Sequence, residues 1–187
     1  MSADAGPLLT PEPLIDAVRD GVEGSGWLLS GLQKTTSHEF AGRWEGETSR
    51  SAYLFFHRAD DPDGVSIDVF LDETSRGIGG NLALVLEGAP VAQVGDPLAA
   101  LADVASVACI YLGREPASTS PVSVRLRLDS PIQEVTDGTT ELRIKVRITR
   151  SALQEGAAGV SGLATLAVRS FERLLEQKEV LRYRDFG

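Results

Sequence analysis

Two runs of strict alternation, Val122–Leu128 and Leu142–Ile148, constrain this chain more than any other stretch. Period-2 alternation is the signature of a strand with one face buried and one face in water. Val122, Val124, Leu126 and Leu128 in the first run match Leu142, Ile144, Val146 and Ile148 in the second. The opposite face carries Arg125 and Arg127 from one run and Arg143, Lys145 and Arg147 from the other. Thr136-Asp137-Gly138 between them suits a three-residue hairpin loop with Gly138 left-handed. That loop pairs Val135 with Thr139 and sets Ile132 against Leu142, Leu128 against Val146 and Leu126 against Ile148. Arg127 then stands opposite Arg147, and Asp129 opposite Lys145. A two-residue loop would put the two faces out of phase, so the bulged register is the expectation. Pro131 has no N–H for a ladder, which makes the first strand an edge or a bulged strand there.

Five cations in a row are unexpected against a formal net charge of −9. Residues 1–120 hold seven basic and eighteen acidic side chains, whereas residues 121–150 hold six basic and four acidic. The global field repels phosphate, so nucleic acid is not an expected partner, and the cationic face must act by local contact. A chain of 187 residues can bury a core without staples. Cys109 is the only cysteine, which excludes an intrachain disulfide and fits a reducing, cytoplasmic setting. Met1–Gly6 lacks the cationic and apolar parts of a secretory signal, and no apolar run reaches bilayer-spanning length, so no membrane role is expected. Basic residues comprise fifteen Arg and three Lys, a usage typical of GC-rich bacterial coding.

Residues 1–9 read as a disordered leader and residues 10–187 as one domain. Thr10-Pro11-Glu12-Pro13 opens a helix, with Leu14, Val18 and Val22 as its inward stripe. Strands are expected at Trp27–Leu32, Phe40–Trp44, Ser51–His57, Val65–Leu71 and Leu82–Leu86, the aromatic-rich third being read as buried. Asp60–Gly64 reads as a turn. Asp96 and Pro97 start a middle helix over Leu98–Leu112 that is apolar nearly all round and therefore buried. Glu115–Pro121 reads as a loop. The last helix, Ala157–Lys178, buries Val160, Ala164, Ala167, Phe171, Leu174 and Leu175 and solvates Arg169, Glu172, Arg173 and Glu176. The fold class is α+β: one domain, an antiparallel sheet with an N-terminal helix, a buried middle helix and a long C-terminal helix.

Chemistry is sparse. His38, His57 and Cys109 lack metal-ligand spacing, and neither a G-x-S-x-G motif nor a metal or cofactor motif is present. Arg76-Gly77-Ile78-Gly79-Gly80 precedes a strand and not a helix, so a turn is a better reading than a phosphate loop. Asp60–Gly64 lacks the twelve-residue calcium pattern. No catalytic residues, metal site or cofactor are assigned.

The order helix, strands, buried helix, two strands, long helix resembles the type III secretion chaperone-like fold, including the YbjN-like cytosolic proteins, over roughly residues 11–178. The resemblance implies a non-enzymatic homodimer that holds a segment of another protein. The expected function is a protein-binding module, an adaptor or chaperone-like protein, that offers Arg125, Arg127, Arg143, Lys145 and Arg147 to an acidic or amphipathic partner segment. The alternative is a small-ligand or enzymatic domain with a pocket between the sheet and the last helix.

Overall fold

The computed structural model describes residues 11–39, 47–59, 65–74, 77–87, 99, 102–108, 122–128, 140–178, 180 and 181. The expected leader, the Thr10 cap, the Phe40–Trp44 strand, the Asp60–Gly64 turn, the Glu115–Pro121 loop and Cys109 lie outside these residues. Helix α1 (Pro11–Glu23) opens on its prolines, with Glu12 acidic in the first turn. Leu14, Val18 and Val22 are fully buried, as the i, i+4, i+8 spacing requires. Four strands follow: β1 (Trp27–Glu39), β2 (Glu47–Arg58), β3 (Val65–Thr74) and β4 (Gly77–Glu87). Residues 102–108 belong to the middle helix, α2. Then come β5 (Val122–Leu128), β6 (Thr140–Arg147), the short α3 (Arg150–Gln154) and α4 (Ala157–Leu175).

The six described strands form one sheet in the order β1-β2-β3-β4-β6-β5. Every pairing is antiparallel. This is a single-domain α+β fold. One ladder row runs Leu32, Leu54, Val69, Leu82, Val146 and Val122 across all six strands. Leu54, Leu82 and neighbours such as Ile67, Leu84, Leu142 and Ile144 are fully buried on that face. Burying each such side chain contributes about 1.5–3 kcal/mol before chain entropy is subtracted.

The cover of that face comes from the helices. α1 meets β1, β2, β3 and α4, and α4 meets β4. All six residues of the expected α4 stripe are buried, and Val168 joins them. The helices cross closely at Gly21, where a Cβ would lie 2.5 Å from the Ser161 carbonyl oxygen and 2.8 Å from the Ala164 Cβ. Thr165 Oγ1 donates to the Gly21 carbonyl at 3.2 Å, tying the two helices at the same point. Gly156 precedes α4 with φ 77° and ψ −153°, a region open essentially to glycine alone. Thr149 caps α3, its hydroxyl accepting from the Ala152 N–H at 3.2 Å.

Several expectations need correction. The hairpin register is offset: Leu126 faces Leu142, not Ile148, and Leu128 faces Thr140, not Val146. With Leu128 opposite Thr140, residues 129–139 all lie between the paired residues, more than a three-residue loop, while the other edge of β6 pairs with β4 through Leu82–Val146, Leu84–Ile144 and Leu86–Leu142. β5 is the outer strand of the described sheet. The offset is even, so the apolar and cationic faces stay in phase. Residues 129–139, including Asp129, Pro131 and the Asp-Gly loop, lie outside the described residues.

The glycine run is strand, not turn. Gly77, Gly79 and Gly80 pair with Thr74, Asp72 and Leu71 of β3. A Cβ at Gly80 would meet the Phe70 carbonyl oxygen at 2.5 Å, so the glycine admits a close backbone approach. In α2, Val104 and Ala108 join the main core while Ala102, Asp103 and Ser106 are exposed, so the described part buries one face. Glu172 is only half-exposed, because it accepts a hydrogen bond from the Trp27 indole N–H at 3.3 Å.

Candidate functional site

The second face of the sheet is where the unexplained side chains gather. Its ladder rows follow from the register. One runs Gly31, Phe55, Asp68, Ala83, Lys145 and Ser123; the next runs Gln33, Tyr53, Phe70, Asn81 and Arg147. A third joins Ser66, Val85, Arg143 and Arg125. Among the described residues, α1 and α4 bury their apolar stripes on the other side. This face leaves Leu28 47%, Tyr53 38% and Phe55 37% exposed. Solitary exposed apolar residues are ordinary, but a group of three at one end of a sheet face is a feature of binding surfaces.

The aromatic strand β2 is thus two-faced and not simply buried. Ala52, Leu54 and Phe56 point into the core, whereas Tyr53 and Phe55 stand on the open side with half-exposed His57. Tyr53 packs on Phe70 of β3, ring centroids 4.9 Å apart at a 44° tilt. Such a pair is worth about 0.5–1.5 kcal/mol beyond its burial and holds both rings in place.

The cations occupy the other half. β6 sets Arg143, Lys145 and Arg147 on this face, Arg147 exposed and the other two half-buried. β5 places Arg125 and Arg127 at register positions on the same face, opposite Arg143 and Glu141 respectively. The Arg127–Arg147 juxtaposition is therefore replaced by Arg125 opposite Arg143. The structure supplies a remedy for that like-charge pair. Arg143 donates to Asp68 of β3 at 3.0 Å and to Glu141 at 2.9 Å. Asp68 also accepts from the Ser66 hydroxyl at 3.0 Å. Burial alone would lower the Arg143 pKa, but hydrogen bonding and charge from Glu141 and Asp68 outweigh it and raise the value. Arg143 stays charged at any accessible pH and serves as an internal tie between β3 and β6.

Between the aromatic and cationic halves lies a concave depression of about 380 Å³. Its walls include Tyr53, Phe55 and Phe70 on one side and Arg143 and Lys145 on the other, with Ala83 among its lining residues. The depression follows from side-chain size. In its row, Ala83 is the short residue between Asp68 and Lys145.

Sequence reasoning found the cations but missed Tyr53, Phe55, Phe70 and Asp68. The available signal was parity: Tyr53 and Phe55 alternate with Ala52, Leu54 and Phe56. That signal is faint because both faces of β2 are apolar. His57 pairs with Leu28, and His38 lies in β1 opposite Thr48. Among the described residues, no group of three or more His, Cys, Asp and Glu side chains is placed to hold a metal. No described helix is long and apolar enough to cross a membrane. The space between the sheet and α4, where the alternative reading puts a ligand pocket, contains fully buried Val160, Ala164, Val168, Phe171 and Leu174. No family model, curated protein or solved structure matches the chain.

Proposed function

We propose that the chain is a non-enzymatic protein-binding module whose open sheet face holds an acidic, amphipathic segment of a partner protein. The observation that carries the reading is the composition of that face: exposed Tyr53 and Phe55 beside a half-sheet bearing Lys145 and Arg147. Apolar contact supplies affinity, and opposite charge supplies orientation and encounter rate. Net charge of −9 fits local rather than long-range attraction. The resemblance in element order to secretion chaperones, which implies a homodimer, points to the same class of function.

The test is photo-crosslinking in cells with benzoylphenylalanine at position 55, and at Leu166 as a control. Leu166 is also exposed, at 47%, but belongs to α4. Adducts from position 55 with a peptide rich in Asp, Glu and apolar residues are expected, and K145E/R147E should abolish them. Equal labelling from both positions, or adducts indifferent to charge reversal, would overturn the reading.

A further inference from the structure

The face does more than combine two properties, because it separates them in space. Tyr53 and Phe55 sit on β2 and Phe70 on β3; Lys145 and Arg147 sit on β6, with β4 between. Adjacent strands lie about 4.8 Å apart, so roughly 10 Å separates the aromatic strand β3 from the cationic strand β6. Side chains of an extended peptide return to the same side every second residue, about 6.8 Å along the chain, which reaches from the middle of the depression to β6. The depression over Ala83 joins the two halves and is walled by both chemistries.

Resting on the reading above, we infer that the depression is an anchor subsite for one aromatic or branched apolar side chain of the partner, with an acidic residue two positions away over β6. The occupant is a short linear segment lying across the strands, with no requirement for edge pairing. Charge complementarity selects it. Lys145 lines the far end of the depression and Arg147 pairs in register with its lining residue Asn81, while Asp68 is held by Arg143 and Ser66 and leaves the aromatic end to apolar contact. A basic segment would meet Lys145, Arg143 and Arg147 with like charge.

Ala83 makes the inference testable. It is buried (1% exposed) at the floor of the depression and outside the main core cluster, so a large side chain there must project into the depression and displace its walls without entering the helix-covered layer. The experiment is selection of random twelve-residue peptides on the immobilised full chain, with counter-selection on A83F. F55S serves as a second variant in case A83F does not fold, and melting curves check both. The expected result is enrichment of peptides with an apolar or aromatic residue spaced two from Asp or Glu. Their binding should fall at least tenfold on A83F and on F55S. Acidic amphipathic peptides that bind A83F and F55S as well as the parent would overturn the subsite and leave the broader function standing. Failure to enrich any peptide would overturn both. Binding of a fluorescent oligouridylate that A83F abolishes would also overturn both, since it would make the face a stacking platform for single-stranded nucleic acid.

Discussion

The two faces of one sheet differ in what completes them. On the helix side, an all-apolar row crosses six strands, and its inner residues Leu54, Val69, Leu82 and Val146 are buried while Leu32 on β1 is 45% exposed. On the open side, aromatic and charged residues share rows but stand on different strands, and part of the apolar surface remains in contact with water. Folding stability is concentrated in the first face. The second carries residues whose exposed parts contribute little to folding: Tyr53, Phe55 and Arg147. A substitution should therefore cost stability on one face and binding on the other.

The largest loss is expected from Phe171→Ala, which empties a fully buried ring site in α4. Urea denaturation should register about 3–5 kcal/mol, with the melting temperature falling by about 10 °C. Next are two glycines of the helix layer. Gly21→Ala forces α1 off α4, and Gly156→Ala occupies a strained backbone region, each costing about 1–3 kcal/mol by the same assay. A double-mutant cycle on Asp68 and Arg143 should give a coupling of about 1 kcal/mol, since both side chains are mostly shielded from water. A coupling of zero would return Arg143 to the pool of surface cations and weaken the contrast between its role and that of Arg147.

What could be read from the chain follows the same division. The stripes Leu14, Val18, Val22 and Val160 to Leu175 were legible because burial against any layer demands the helical period, whatever the partner. Strand parity in β5 and β6 was legible for a similar reason. The register was not, because Leu128 pairs with Thr140 across eleven intervening residues and the Asp-Gly signal alone anticipates a three-residue loop. Gly77–Gly80 reads as a turn until β3 supplies its ladder partners. On the open face the cations declared themselves as a run in sequence. The aromatic half did not, since Tyr53, Phe55 and Phe70 come from two strands and meet the cations only through the fold. Asp68 lies 75 residues from Arg143, so no local pattern shows that Arg143 is tied to β3.

The contrast between the faces is tested most directly by Tyr53→Ser/Phe55→Ser, measured for melting temperature and for crosslinking to the partner from a probe at position 147. Both aromatic side chains are more than a third exposed, so the account predicts a loss of about 1–2 kcal/mol with the Tyr53–Phe70 contact included, a shift of about 2–8 °C and below that of Phe171→Ala, together with loss of the crosslinked partner. A strongly destabilised variant, or a stable one that still captures the partner in full, would contradict it.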